Sequence, residues 1–140
     1  MRFTPKKIKY KTFFKSRSFV FKKFDNYVNT LKFGDCGIKS LESGIICEKH
    51  LETLRLYLRR SLKKGSLIWF RVFPNKGGSK KPIEVRMGKG KGGHAYWYFP
   101  VKKGRIIFEV CGKNQKRISN ILKECIKRMP FKCKIIKLNI

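Results

Sequence analysis

Apolar residues recur every three or four positions in two parts of the chain, the spacing that places side chains on one face of a helix. In the first part they are Leu51, Leu54, Leu58 and Leu62. In the second they are Ile118, Ile121, Leu122, Cys125, Ile126 and Met129. The spacing therefore predicts helices at about 48–64 and 113–129. Asn114 is a suitable N-cap for the second helix, and Pro130 ends it.

Strand signals lie before, between and after these helices. Runs rich in β-branched and aromatic residues, or with alternating apolar positions, occupy 30–40, 66–73, 94–101, 105–111 and 131–138. Gly34 and Gly37 are expected to bend the first run, and the glycine-rich stretch at 75–84 is expected to be a loop. The short basic turn at 102–104 favours a hairpin between its two flanking strands. This order predicts an α+β two-layer sandwich, in which two amphipathic helices cover a mostly antiparallel sheet.

The net charge of the chain indicates what kind of partner it binds. The chain carries 36 Lys and Arg against 8 Asp and Glu, a formal net charge of +28 over 140 residues. Self-repulsion of this size destabilises a compact state unless a polyanion relieves it, so the expected partner is nucleic acid. Hydrophobic residues make up 41% of the chain, which is enough for a core. No uncharged run approaches the roughly 18 residues that a membrane-spanning helix needs.

The first 29 residues differ in composition from the rest. Residues 2–23 contain nine cations and no acid, interleaved with aromatic side chains, and show no clean apolar period. We expect an extended basic arm at 1–29 and a single α/β RNA-binding domain at 30–140. The arm's candidate RNA contacts are Lys6, Lys7, Lys9, Lys11, Lys15 and Arg17. The same composition is typical of a cleaved mitochondrial targeting peptide, which is the alternative for this segment.

A glycine- and lysine-rich loop at 75–93 holds the densest group of candidate contacts. Its glycines allow backbone conformations that other residues avoid, and its cations suit phosphates. The candidates are Lys76, Lys80, Lys81, Arg86, Gly88, Lys89, Gly90 and Lys91, followed by His94 at the start of the next strand. His94 is a phosphate or base contact in one interpretation and a structural residue in the other. The loop also fits the pattern G-x-G-x-x-G, but a strand follows it instead of a helix, which argues against a dinucleotide site.

Further cations lie on the predicted helix and strands. Arg55 and Arg59 belong to the polar face of the first helix, and Arg71 lies on the strand that follows it. We count all three as candidate RNA contacts, although the helix face could instead be an ordinary solvated surface. No cluster of acids and histidines suits catalysis. The five cysteines lack the spacing of a zinc site, so we expect reduced thiols, no metal and no cofactor.

Four segments together resemble one family. They are PKKIKYK at 5–11, FGDCGIK at 33–39, IWFRVFPNK at 68–76 and KPIEVRMGKGKG at 81–92. These segments resemble the universal large-subunit ribosomal protein called L sixteen in bacteria. The resemblance implies a non-enzymatic α/β sandwich that binds large-subunit rRNA near the peptidyl-transferase centre and the aminoacyl-tRNA. Its partners would be that rRNA, tRNA in the aminoacyl site and neighbouring ribosomal proteins.

Carried over by position, the resemblance places Arg86, Met87, Gly88 and Lys89 against rRNA near the tRNA-binding cleft. The arm would thread along rRNA and belong to the mature protein, since the family pattern begins by Pro5. Lysines outnumber arginines 26 to 10, which fits a gene rich in A and T. With no separate presequence expected, this composition suggests a mitochondrial protein, with a plastid or bacterial cytoplasm as alternatives. The stretch 19–30 is longer and more aromatic than the family pattern.

Two other functions compete with the ribosomal one. A free-standing RNA- or DNA-binding module would share the charge and the aromatic residues, but it would be stable in isolation and bind many targets. An enzyme acting on nucleic acid would need an indispensable carboxylate or histidine, and the scattered acids of this chain do not suggest one.

Overall fold

A computed structural model of the chain describes residues 3–13, 24–25, 28–62 and 64–138. The described residues form seven strands and two helices. In chain order these are β1 (Cys36–Ser40), β2 (Gly44–Cys47), α1 (Glu48–Ser61), β3 (Leu67–Phe70), β4 (Lys76–Ser79), β5 (His94–Val101), β6 (Ile106–Cys111), α2 (Gln115–Lys127) and β7 (Cys133–Lys137).

The strands form two antiparallel sheets. One has four strands in the order β3-β6-β1-β7, and the other has three in the order β2-β5-β4. The α+β class, the two helices and the antiparallel pairing are therefore confirmed. The predicted hairpin between β5 and β6 is wrong, because these strands belong to different sheets. Gly104, with φ +88, and its basic neighbours connect the sheets.

Both helices bury the faces that their apolar spacing predicted. α1 packs on β2 and β5, α2 packs on β1 and β7, and the helices also contact each other. Leu51, Leu54 and Leu58 of α1 are fully buried. Asn114 caps α2, since its Oδ1 accepts a hydrogen bond from the Arg117 N–H at 3.0 Å. The first helix ends at Ser61, three residues earlier than predicted, and its C-cap residue is extended.

Two strands lie where the sequence predicted none. β2 is only four residues long, and β4 has the sequence KGGS, which contains no apolar residue and was predicted to be a loop. Tertiary packing explains the glycines of β4. A Cβ at Gly77 would lie 1.7 Å from the Lys11 carbonyl oxygen, and one at Gly78 would lie 2.5 Å from the Tyr96 ring. β4 is therefore a strand whose missing side chains make room for the arm and for an aromatic ring.

Candidate nucleic-acid interface

The glycine- and lysine-rich segment is the loop of the β4-β5 hairpin. The Lys80 N–H donates to the Gly93 carbonyl at 3.1 Å and closes the base of the loop. At the tip, Gly88, Lys89 and Gly90 have φ values of 96°, 54° and 80°, all in the left-handed region. Lys89 is the one non-glycine residue with positive φ in the described part of the chain. Glycine on either side of it lets the chain reverse sharply and carry a cation at the turn.

The loop presents charge and apolar groups together. Residues 82–91 are all exposed, so the side chains of Arg86, Lys89 and Lys91 reach solvent. The Lys81 ammonium donates to the Gly88 carbonyl and ties the side of the loop to its tip. Met87 at the tip is 97% exposed, an unusual position for a large apolar side chain. Such a loop is suited to insertion into a partner that offers both phosphates and apolar surface.

The first described residues hold the arm against the domain. Phe3 is 3% exposed and packs edge-on against Phe70, with ring centroids 4.9 Å apart. Farther along, the Lys11 backbone crosses β4 directly over Gly77. The Phe13 carbonyl then accepts a hydrogen bond from the Lys91 ammonium at 3.3 Å. The described stretch 3–13 of the arm is thus packed into the core at Phe3 and joined to the loop at Phe13.

These contacts join two groups of sequence-predicted residues, those of the arm and those of the loop, at Lys11 and Phe13. We refer to the two groups together as the arm-loop face, defined as Lys6, Lys7, Lys9, Lys11, Lys80, Lys81, Arg86, Met87, Gly88, Lys89, Gly90 and Lys91. Lys81 is half-buried and the other members are exposed. Tyr10 lies within this surface, 68% exposed, with the Lys9 ammonium 5.5 Å from its ring centroid. Lys15 and Arg17 were predicted as further members and lie outside the described residues.

Gly77→Ala is expected to loosen the arm, because its Cβ has no room beneath the Lys11 carbonyl. Overpacking of this kind costs about 1–3 kcal/mol when the backbone has to move. We expect trypsin to cut at the arm lysines markedly faster in this variant than in the wild type. Gly93→Ala is the matched control, since its Cβ meets no described atom within 4 Å. Equal cleavage rates in the two variants would show that the arm does not depend on this crossing.

The remaining sequence-predicted cations lie elsewhere. Arg55 on α1 pairs with Glu52, with 2.5 Å between Nη2 and Oε1, so part of its charge is already neutralised. Arg59, one turn later, is exposed. Lys76 is half-buried at the start of β4. These three cations belong to α1 and β4 and not to the arm or the loop, so we do not include them in the arm-loop face.

Arg71 and His94 have partners or surroundings inside the protein. The Arg71 guanidinium pairs with the Glu109 carboxylate, which is fully buried. The His94 ring lies 4.5 Å from the Trp97 ring between centroids, and its Cδ2 lies where a Cβ on Gly77 would point. The His94 Nε2 is buried and has no hydrogen-bond partner among the described residues. We therefore leave both residues out of the proposed interface.

Glu109 is the important residue that the sequence analysis passed over. Its carboxylate Oε2 accepts hydrogen bonds from the backbone N–H groups of Lys32, Phe33 and Gly34 at 3.0, 2.7 and 2.9 Å. Burial raises the pKa of Glu109, but these bonds and the Arg71 guanidinium outweigh it and hold the pKa below its ordinary value. The signal was available in the sequence, since a lone carboxylate in the apolar run IIFEVC requires buried partners.

Burial governs the chemistry of two of the cysteines. Burial raises the pKa of both Cys125 and Cys133 to about 12, so these thiols stay protonated near neutral pH. In the part of the chain that the structure describes, no group of three or more His, Cys, Asp or Glu residues could hold a metal ion. Neither helix of the described chain has the length and apolarity to cross a membrane.

Comparisons of the sequence with known proteins identify the family of the chain. Residues 5–136 match the family model for ribosomal protein L16p/L10e. The large ribosomal subunit protein uL16 of Sulfurovum sp. is 44% identical to this chain over 108 residues, which are 77% of this chain and 77% of that protein. The matched residues include nearly all of the described arm, both sheets and both helices. The chain therefore belongs to the ribosomal protein L16p/L10e family.

Proposed function

We propose that this chain is a structural protein of the large ribosomal subunit and binds large-subunit rRNA through the arm-loop face. The family and the uL16 relative support the ribosomal role. A ribosomal structural protein is not an enzyme. The observation that carries the RNA contact is the junction of arm and loop, where Lys11 crosses Gly77 and Lys91 donates to the Phe13 carbonyl. It turns two basic segments, distant in sequence, into one cationic surface that can follow a phosphate backbone.

The tip of the loop is the best candidate for a more specific role. Met87 is almost fully exposed beside Arg86 and Lys89, so the tip presents an apolar group between two cations. We propose that this tip enters the cleft that holds tRNA in the aminoacyl site, while the rest of the face stays on rRNA. Neighbouring ribosomal proteins would then contact other surfaces of the domain.

The compartment is also a proposal. The excess of lysine over arginine, 26 to 10, supports a gene rich in A and T, and we propose a mitochondrial ribosome as the location. The bacterial relative supports a ribosome of bacterial type, which suits mitochondria, plastids and bacteria alike. Fractionation of the source cells, followed by detection of the chain in each large-subunit pool, separates these locations.

Crosslinking of the chain to RNA in a lysate of its own cells tests the proposed function. We expect the sequenced fragments to come from a few segments of large-subunit rRNA, and the crosslinked peptides to include residues 3–13 and 80–93. Fragments spread over many transcripts or DNA would contradict the ribosomal role and favour a free-standing nucleic-acid-binding module. Crosslinks confined to α1 or α2 would instead contradict the choice of the arm-loop face.

A further inference from the structure

An aromatic surface lies on the four-stranded sheet, whereas the glycine- and lysine-rich loop belongs to the three-stranded one. Phe33 precedes β1 and is 50% exposed. Its ring stacks on the Trp69 ring, with centroids 6.1 Å apart and planes 25° from parallel. In the strand register Trp69 pairs with Glu109, so their side chains share one face of the sheet. The segment that carries Phe33 lies across this face.

Glu109 fixes the backbone of that segment. One carboxylate oxygen accepts three successive N–H groups, those of Lys32, Phe33 and Gly34, at 2.7–3.0 Å. Gly34 also lies directly on the sheet, since a Cβ there would be 2.9 Å from the Val110 backbone nitrogen. Bonds to a buried charge are stronger than ordinary hydrogen bonds, so the Phe33 backbone is held rigidly. A half-exposed aromatic ring is thus presented in a fixed orientation.

Cations flank the exposed ring. The Arg71 guanidinium carbon is 5.3 Å from the Phe33 ring centroid, and the Lys32 ammonium is 5.6 Å from it. Glu109 pairs with Arg71, whereas Lys32 is an exposed side chain. A purely apolar protein partner would gain nothing from this lysine. A nucleotide would use both features, because its base has a face for stacking and its phosphate has a charge for the ammonium.

We propose that Phe33 is a stacking platform for an unpaired base of bound RNA, and that Lys32 contacts the adjacent phosphate. This inference rests on the proposed function and adds a second contact to it. The rigid backbone lowers the entropy lost when the base binds, since the ring is already in place. The Phe33-Trp69 stack also extends the aromatic surface beneath the base. Sequence specificity is not expected, because every base has a face that can stack.

The test uses the full chain and a fluorescently labelled oligouridylate of about 12 nucleotides, a length within the range that single-strand-binding sites cover. We compare Phe33→Ala, Phe33→Leu and Phe33→Tyr with Leu41→Ala, a control at the far end of β1 whose side chain is 39% exposed. The alanine and leucine variants should each lose about 5- to 150-fold in affinity, the range for one stacked base. The tyrosine variant and Leu41→Ala should bind as the wild type does.

The salt dependence of binding gives a second, independent readout. Replacing Phe33 removes no phosphate contact, so all four variants should keep the wild-type slope of log affinity against log salt. Full binding by Phe33→Leu would overturn stacking, because leucine keeps the apolar contact and lacks the aromatic face. The comparison of leucine with tyrosine remains decisive even if the alanine variant unfolds.

The outcomes also separate this inference from the proposed function. Wild-type binding that is salt-dependent but unchanged in every Phe33 variant overturns the stacking platform and leaves the arm-loop face in place. No binding of RNA by the wild type overturns both. A photocrosslinking residue at position 33 should label RNA in the assembled subunit, and label found only on a neighbouring protein would also overturn the inference.

Discussion

Glu109→Gln is expected to reduce the free energy of unfolding by about 3 kcal/mol near neutral pH. This is the lower end of the loss expected when one partner of a buried ion pair is removed. The carboxylate accepts the Arg71 guanidinium on Oε1 and three backbone N–H groups on Oε2. Glutamine has the same shape but only one oxygen. Its NH₂ group must face either Arg71 or the three amides, which leaves buried donors without an acceptor. The loss is a large fraction of the 5–15 kcal/mol that stabilises a typical domain.

The effect should depend on pH in a defined direction. The pKa of Glu109 in the folded protein lies below the ordinary value of 4.5, because its hydrogen bonds outweigh the effect of burial. Its contribution to stability is therefore complete above about pH 4.5 and is lost as the pH falls through the folded-state pKa. Glutamine does not titrate. The difference in stability between wild type and variant should thus narrow as the pH falls below 4.5.

Urea unfolding at pH 7 and at a series of lower pH values measures both effects. Glu42→Gln is the matched control, since Glu42 pairs with Lys132 at 3.2 Å on the surface and is 49% exposed. Such a pair contributes about 0–1 kcal/mol, so this variant should stay close to the wild type. If both variants lost the same unfolding free energy, or if the loss in Glu109→Gln did not change with pH, the buried carboxylate would not be what holds the segment at 32–34.

The helices were predictable because apolar residues spaced three and four apart within each segment indicate a helix. Three leucines in α1 and five apolar residues in α2 follow one face, and Asn114 caps α2 as its side chain suggested. β2 and β4 were not predictable in the same way. The glycines of β4 suit a strand only because the arm and the Tyr96 ring fill the space above them, where β4 pairs with β5. Only the folded chain brings these groups together.

The residue types of the candidate site were predictable from the sequence, but the contacts between them were not. Composition identified the cations of the arm and the loop, but it could not show that Lys91 joins the loop to the Phe13 carbonyl. It also could not separate cations that face solvent from those with internal partners. Arg71 and Arg86 look alike in sequence, yet Arg71 neutralises buried Glu109 and Arg86 is exposed. The two arginines differ because Arg71 lies next to the buried Glu109 carboxylate. Glu109 is on β6 and Arg71 directly follows β3, and these two strands come together only when the chain folds.

Replacing Arg86 and Lys89 together by alanine is expected to weaken binding to large-subunit rRNA by roughly 25- to 60-fold at about 0.1 M salt. The estimate follows from counterion release, since each phosphate contact contributes about 0.7–0.9 to the slope of log affinity against log salt. The slope should therefore become shallower by about 1.4–1.8. The fold should survive, because both residues are exposed. Lys89→Ala also adds little backbone strain, since one non-glycine residue replaces another at φ 54°.

The matched control replaces Lys116 and Lys123 on the exposed face of α2 by alanine. Both double variants remove two charges from a net charge of +28, so general electrostatic attraction falls equally in the two. Affinity for in vitro transcribed rRNA of the source organism, measured at several salt concentrations, then isolates the local contribution of the loop. We expect the Arg86 and Lys89 variant also to enter mature large subunits poorly and the control to enter them normally. Equal affinities and equal slopes would mean that the loop contributes only net charge, and the tip would then have no direct contact with rRNA.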